Sequence, residues 1–185
     1  MASEAKQRMV ATTAELLARG GYGRASFADV IERSRAPRGS IYHHFPGGKD
    51  ELVLAALELA GTRAIDALGG ADDDTPSTVT ARFLGLWRRL LVHTAFGVGC
   101  SVLGLTVSAD SPDLLARAGD VFRSWRGAIT DRLEQAGLAK GDAAAFAVLL
   151  IAATEGAVVL SRAQHDLEPF DAVAAQLQAH VGTLE

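Results

Sequence analysis

Apolar residues recur at intervals of three and four positions along most of the chain, a spacing typical of amphipathic α-helices. Near the N-terminus the pattern passes through Val10, Ala14 and Leu17 until Gly20–Gly21 interrupts it. No alternating strand pattern and no internal repeat competes with the helical period. The pattern therefore predicts an all-α protein of about nine helices.

Proline and glycine divide this pattern into elements. After the Pro46–Gly48 break, a long helix is predicted to about Leu68, and the polar segment Gly69–Asp74 forms a linker. Proline suits the first turn of a helix because it has no N–H group, and the N–H groups of that turn have no acceptor within the helix. The remaining helices are predicted to begin near Pro76, Cys100, Pro112, Ala143 (capped by Asp142) and Pro169.

The segment Ser26–Leu52, SFADVIERSRAPRGSIYHHFPGGKDEL, predicts two short helices on a tight turn. Ser26 followed by Asp29 resembles a capping box, so a first helix begins there and ends near Arg33. Pro37 then begins a second helix, which runs to Phe45. Two helices joined by three residues cross steeply, and the second can enter a DNA major groove.

The second helix carries polar residues around the apolar anchors Ile41 and Phe45. Arg38 can pair with guanine, and Tyr42 with phosphate, sugar or a thymine methyl group. Lys49 is expected beside a phosphate at the start of the next helix. The predicted DNA-binding residues are Ser26, Arg35, Pro37, Arg38, Gly39, Ser40, Tyr42, His43 and Lys49.

These residues carry a family resemblance. With Gly21-Tyr22, Ala25-Ser26-Phe27, Pro37–Phe45 and Lys49–Leu52, the stretch Val10–Leu52 resembles the DNA-binding domain of the TetR family of bacterial transcriptional repressors. Four shorter motifs are most similar to the LmrA-like branch of this family. They are Ala36–Ser40, Pro46–Lys49, Gly99-Cys100 and Glu168–Phe170. The family usually has Gly where this chain has Arg35. If that position needs positive φ, a non-glycine residue costs about 1 kcal/mol, although Arg35 also offers an extra phosphate contact.

The resemblance implies a helix-turn-helix DNA-binding domain over residues 1–48, a connecting helix over about 49–68, and a ligand-binding and dimerisation domain over 75–185. It also implies an inducer pocket in the large domain. The aromatic residues proposed to line it also have the spacing of ordinary core residues. A buried Glu155 requires a partner, which is a ligand, a cation, a backbone amide or Thr154. The predicted ligand-binding residues are Phe83, Trp87, Cys100, Phe122, Trp125 and Glu155.

The predicted penultimate helix, from Ala143 to about Arg162, is apolar around nearly its whole circumference. Such a helix must be buried on all sides, and one chain of this size covers only one side. Small residues such as Gly156 permit the close approach of another helix. The pattern predicts a homodimer, and the resemblance places its interface on the last two helices.

Charge is unevenly distributed along the 185 residues. Residues 1–50 hold 8 Lys/Arg against 5 Asp/Glu, a net +3, while the whole chain carries −4. This asymmetry is typical of a basic DNA-binding part on an acidic body. The lone Cys100 excludes an intramolecular disulfide and favours a reducing cytoplasm. The most apolar run, 148–160, is too short to span a bilayer, so no membrane association is expected.

Motifs for catalysis are missing from the sequence. It has no nucleophile–base set, paired carboxylates or phosphate-binding glycine loop, so we predict no enzyme and no cofactor. Adjacent His43 and His44 point in different directions, and no metal site is expected. The sequence predicts a homodimeric repressor of a palindromic operator in double-stranded DNA, released by an unidentified small molecule. The alternative is a helical dimeric adaptor or a small all-α enzyme without DNA binding.

Overall fold

The computed structural model describes residues 2–71 and 73–185, and over those residues it contains nine α-helices and no strand. The prediction of an all-α protein is confirmed. The helices are α1 (Ala2–Arg24), α2 (Phe27–Ser34), α3 (Ser40–His44), α4 (Lys49–Leu68), α5 (Pro76–His93), α6 (Ser101–Thr106), α7 (Pro112–Gln135), α8 (Lys140–Gln164) and α9 (Glu168–Gly182).

Two predicted helix starts are wrong. The second short helix begins at Ser40 and not at Pro37, because residues 37–39 form a turn in which the Ser40 N–H donates to the Pro37 carbonyl at 2.9 Å. Helix α8 begins at Lys140, so Asp142 lies inside its first turn instead of capping it. The N-cap of α8 is Ala139, which makes no side-chain capping bond.

The chain forms two compact units that are not contiguous in sequence. Unit 1 comprises the residues up to Arg63 together with Cys100–Phe122, and unit 2 comprises Ala64–Gly99 and Arg123–Glu185. Helices α4 and α7 therefore contribute residues to both units. In unit 1, α1 packs against α2, α3 and α6. Its fully buried side chains include Met9, Leu17, Val30, Ile41, Leu57, Val102 and Leu105.

Helix α1 is interrupted near its end. Gly20 and Gly21 have non-helical backbone angles, and Gly21 has φ 71°. A Cβ atom at Gly21 would lie 2.8 Å from the carbonyl oxygen of Gly104 on α6. Glycine is required here by both its positive φ and this close backbone approach. The predicted interruption of the helical pattern at this point is confirmed.

Unit 2 is built from α5, α8 and α9, which pack on one another, with the C-terminal part of α7. Its buried core includes Phe83, Leu91, Ile129, Phe146, Leu150, Phe170 and Val181. Arg88 of α5 donates to both carboxylate oxygens of Asp171 of α9, at 2.8 and 3.1 Å. A planar guanidinium suits such two-point contact, which fixes α5 against α9.

Helix α8 is the one helix in the described residues that is long and apolar enough to cross a membrane, by length and composition alone. The apolar run 148–160 is shorter than a membrane span, but it lies within a helix of 25 residues, which is long enough. Nine of its residues are buried within the protein, among them Phe146, Leu150 and Val158. A core helix of a soluble protein has this composition as well.

Candidate nucleic-acid interface and regulatory residues

The turn between α2 and α3 is held by bonds at both ends. Ser26 caps α2, since its hydroxyl accepts from the Asp29 N–H at 3.1 Å and also donates to the Asp29 carboxylate. Arg8 of α1 donates to the Ser34 carbonyl at 3.3 Å. The residue after Ser34 is Arg35, with φ 53° and ψ 31°, so the left-handed conformation considered for this position is present.

Helix α3 is anchored by two apolar side chains and presents its polar residues outward. Ile41 and Phe45 are buried in unit 1. Tyr42 is 67% exposed. Its ring packs edge to face on the Phe27 ring, and the two ring centroids are 5.5 Å apart. The Ser40 hydroxyl donates to the Pro37 carbonyl at 2.7 Å and keeps its lone pairs as acceptors. This arrangement leaves one face of α3 open for contact.

Most of the predicted DNA-binding residues lie on this open surface. Arg35, Pro37, Arg38, Gly39 and His43 are exposed, while Ser26 and Ser40 are half-buried. The rings of His43 and His44 lie 5.3 Å apart at an interplanar angle of 63°. No group of three or more metal-binding side chains occurs in the described part of the chain.

Lys49 differs from the expected arrangement because its ammonium group makes internal contacts. Its Nζ donates to the backbone carbonyl of Tyr22 at 2.7 Å and lies 3.6 Å from the centroid of the Tyr22 ring. Burial lowers the pKa of Lys49, while the charges of Asp50 and Asp29 act to raise it. Tyr22 was not predicted as a partner of Lys49, because it lies 27 residues earlier in the chain.

The Tyr22 hydroxyl is held by the residue next to Lys49. It donates to the Asp50 carboxylate at 2.6 Å. This hydrogen bond, followed by burial and the negative charge of Asp50, raises the pKa of Tyr22 from 10.0 to about 12. In the sequence Tyr22 stood out only as part of the Gly21-Tyr22 motif, and its contacts with α4 and α6 come from elements far along the chain.

The predicted ligand-binding residues belong to different units. Phe83, Trp87, Trp125 and Glu155 lie in unit 2, and Cys100 and Phe122 in unit 1. Within unit 2 the rings of Phe83 and Trp87 pack on each other with their centroids 6.5 Å apart. Trp125 and Glu155 are buried. Cys100 is buried as the N-cap of α6, where its sulfur accepts from the Leu103 N–H at 3.3 Å.

Thr154, beside Glu155 on α8, was not among the predicted ligand-binding residues. Three helical threonines and Thr94, the C-cap of α5, donate to the carbonyl four residues earlier, as Thr80 does to Pro76 at 2.8 Å. The Thr154 hydroxyl is fully buried and has no hydrogen-bond partner among the described residues. A buried hydroxyl without a partner is energetically unfavourable, which makes it a candidate contact for a ligand.

One side of α8 is apolar and uncovered within the chain. Four large apolar side chains on it are 43–49% exposed. A Cβ atom added to Gly156 would meet nothing within 4 Å. On α9 the small side chains of Ala172, Ala175 and Ala179 are exposed as well. The exposed large residues of α8 are Val148, Leu149, Val159 and Leu160.

Comparison with known proteins identifies the class that this fold and surface define. Residues 10–56 match the family of bacterial regulatory proteins known as the tetR family. Residues 76–176 match the C-terminal domain of LmrA/YxaF-like transcriptional regulators. The chain therefore belongs to the TetR family, with a C-terminal domain of the LmrA/YxaF-like type, and both parts of the resemblance seen in the sequence are confirmed.

Relatives match over nearly the whole chain. An HTH-type transcriptional regulator of Mycobacterium tuberculosis is 33% identical over 180 residues, covering 94% of this chain and 92% of the relative. The HTH-type transcriptional regulator LmrA of Bacillus subtilis is 24% identical over 85% of this chain and 86% of its own length. Family membership makes this chain a DNA-binding transcriptional regulator, as its relatives are.

Solved structures agree with the fold. A TetR transcriptional regulator from Chloroflexus aurantiacus superposes with a TM-score of 0.79 at 29% identity, covering 98% of this chain and 96% of that one. The regulatory protein TetR from Rhodobacter sphaeroides gives a TM-score of 0.84 at 24% identity, covering 95% and 98%. At that lower identity the second comparison concerns the fold alone.

Proposed function

We propose that this regulator is a homodimeric repressor that binds a near-palindromic operator and is released from it by a small molecule. The observation that carries the proposal is the open polar face of α3 on its buried anchors Ile41 and Phe45. Residues 1–48 form the DNA-binding domain, α4 the connection, and residues 75–185 the ligand-binding and dimerisation domain. The two family matches, over 10–56 and 76–176, support this division.

Base recognition is assigned to α3 and the turn before it. Arg38 is exposed and can form a bidentate pair with guanine, which discriminates against a wrong base by about 1–3 kcal/mol. Tyr42 and His43 are exposed beside it and contact phosphate, sugar or a thymine methyl group. Arg35 adds a phosphate contact from the turn. Gly39 allows the backbone to approach the DNA closely.

Dimerisation is assigned to α8 and α9. The uncovered apolar side of α8 and the exposed alanines of α9 provide a surface with small side chains, which lets helices of two copies pack closely. A stable interface buries about 800 Å² on each partner. A two-fold dimer presents two α3 helices to successive major-groove faces about 34–36 Å apart, which requires a near-palindromic operator.

Release is assigned to a small amphipathic molecule in the large domain. Its apolar part contacts Phe83, Trp87 and Trp125 of unit 2, and its polar part bonds to Glu155 and to the hydroxyl of Thr154 in the same unit. The unpartnered Thr154 hydroxyl supports a hydrogen-bonding ligand. Binding displaces α4, and a coupling free energy of about 1–3 kcal/mol weakens DNA binding about 5- to 150-fold.

The test begins with selection of bound fragments from random duplex DNA, followed by mobility-shift titrations at several salt concentrations. Arg38→Ala should relax preference at one position in each half-site. Tyr42→Ala should weaken binding with little change in salt dependence, because tyrosine carries no charge. Arg126→Ala, an exposed arginine of α7, is the control and should bind like the parent. Unchanged binding by both variants would show that α3 and the turn before it do not form the recognition element.

Such a regulator acts where bacterial DNA is, so we place it in the cytoplasm. We assign it no cofactor and no metal, because the proposed cycle of DNA binding and ligand release needs neither. A complex of the purified protein with its selected operator, formed in the presence of a chelator, tests this directly.

A further inference from the structure

A hydroxyl group joins the end of α6 to the segment after the glycine break of α1. The Ser108 hydroxyl accepts from the Tyr22 N–H at 2.7 Å and donates to the Gly104 carbonyl at 2.6 Å. The break at Gly20–Gly21 separates Tyr22 from the regular part of α1. Tyr22 is therefore positioned by α6 as well as by its own helix.

Tyr22 in turn contacts the first two residues of α4. Its carbonyl and the face of its ring both hold the Lys49 ammonium, and its hydroxyl donates to Asp50. A lysine ammonium has three N–H donors, and a cation over an aromatic face is attracted to the ring. The carbonyl bond uses one donor, so further N–H groups are available to an anion.

An ordered lysine has an advantage over a mobile one in binding a phosphate. A free lysine side chain loses conformational entropy when it is fixed on a phosphate. At Lys49 most of this ordering is complete before DNA binds, because the ammonium already has two contacts with Tyr22. The same contacts determine where the charge lies relative to the start of α4.

We propose that Tyr22 is a positioning residue for DNA binding, which holds the ammonium of Lys49 at the point where it meets a DNA phosphate, and that Ser108 of α6 keeps Tyr22 in place. The proposal rests on the proposed function, in which Lys49 contacts phosphate. It assigns Tyr22 no contact with DNA of its own. The position of α6 thereby controls a DNA contact through one hydroxyl and one aromatic residue.

A double-mutant cycle on the selected operator tests whether Tyr22 acts through Lys49. Tyr22→Leu keeps the backbone carbonyl but removes the ring beneath the ammonium, so it should weaken binding about 2- to 10-fold in the parent, the range expected for the loss of a cation–π contact. In the Lys49→Ala background it should have almost no further effect. If the two effects instead multiply independently, Tyr22 is a structural residue and the proposal is wrong.

Ser108→Ala should weaken operator binding in the same direction, and its effect should also disappear in the Lys49→Ala background. Thr106→Ala is the matched control on α6, because the Thr106 hydroxyl donates to Val102 within the same helix. It should bind like the parent. If Thr106→Ala weakens binding as much as Ser108→Ala does, general loosening of α6 is the cause and the role of Ser108 is refuted.

A measurement without DNA separates this proposal from the proposed function. The Tyr22 ring lies over the Lys49 ammonium, so the ε-methylene protons of Lys49 should show a ring-current shift in NMR that exposed Lys140 lacks. Tyr22→Leu should abolish the shift and Tyr22→Phe should retain it. A parent protein without the shift would overturn the positioning role. A shift without any operator binding would overturn the proposed function instead.

Should Tyr22→Leu fail to fold, Tyr22→Phe keeps the cycle informative. It removes only the bond to Asp50 and retains the ring and the carbonyl. A smaller weakening that again depends on Lys49 supports the proposal, and a weakening independent of Lys49 contradicts it. Thermal unfolding of every variant shows which of them are folded at the assay temperature.

Discussion

Gly104 of α6 and Leu17 of α1 meet backbone to backbone, since a Cβ atom on Gly104 would lie 2.5 Å from the Leu17 carbonyl oxygen. Such a contact leaves no room for a side chain, and backbone cannot move aside as a flexible side chain can. Leu17 itself is fully buried. The packing of α6 on α1 therefore depends on a glycine at residue 104.

Gly104→Ala should destabilise the protein by about 1–3 kcal/mol, the usual cost of overpacking a close contact. Gly127→Ala in α7 is the control, because a Cβ there meets nothing within 4 Å. Alanine favours helix over glycine, so the control should gain up to about 1 kcal/mol. Urea unfolding gives both values. A Gly104→Ala protein as stable as the parent would contradict the close contact.

Arg35→Gly should separate stability from DNA binding. Arg35 has φ 53°, where a residue with a Cβ is disfavoured by about 1–2 kcal/mol. Glycine removes this strain, although its unfolded state is more flexible, so stability should rise slightly or stay unchanged. Affinity for the operator should fall, with a shallower dependence on salt, because a phosphate contact is lost. Tighter binding by this variant would exclude the contact.

Gly156→Arg should split the dimer while leaving each chain folded. Position 156 is exposed and a Cβ there meets nothing within the chain. An arginine therefore fits the monomer but introduces a charge into an apolar interface. Light scattering at micromolar concentration should give a dimeric mass for the parent and a monomeric mass for the variant. Gly127→Arg on α7 should remain dimeric, and a monomeric parent would refute the proposed interface.

Inducers should change the emission of Trp87 and Trp125, the two tryptophans of the chain. The same compounds should raise the melting temperature and release the operator. Thr154→Val removes the unpartnered hydroxyl at nearly constant shape and should weaken these effects, whereas Thr154→Ser should retain them. Glu155→Gln should alter selectivity for cationic compounds. Inducers that act undiminished on Glu155→Gln, Thr154→Val and Trp125→Leu would exclude this pocket.

Tyr22 should remain protonated to unusually high pH. In a Tyr42→Phe protein Tyr22 is the sole tyrosine, and its phenolate absorbance should appear near pH 12 because its pKa is raised to about 12. The neutral phenol stabilises the fold, so its contribution is complete below pH 10 and is lost as pH rises towards 12. Asp50→Asn should lower the midpoint towards 10. An unshifted midpoint in the Tyr42→Phe protein would show that Tyr22 does not donate to Asp50.

The sequence predicted the helices of this fold well because most have strong local signals. Proline in the first turn marked α5 and α7, and the helical period of apolar residues continued through them. The start of α3 was predicted three residues early. Proline at residue 37 fits a turn as well as a first helical turn. The residue type therefore does not reveal that a 37–40 hydrogen bond closes a turn there before α3 begins.

Contacts between residues far apart in the chain could not be predicted from local sequence patterns. Ser108 and Tyr22 are separated by 86 residues, and nothing in the local pattern of either residue indicates the other. Gly104 interrupts an apolar run without any sign that it meets Leu17. The exposure of the α3 side chains was easier to predict than the partner of Lys49, because exposure follows from the helical period whereas a partner on another helix does not.

The discontinuity of unit 1 limits how this regulator can be recombined with others. A hybrid that keeps residues 1–68 and takes the rest from a relative would lose α6 but retain the α1 surface on which α6 packs. Unless the relative has a glycine and a serine at the positions of Gly104 and Ser108, the hybrid would contain a backbone clash or an unfilled groove on α1. A functional exchange must therefore move two separated pieces of sequence together.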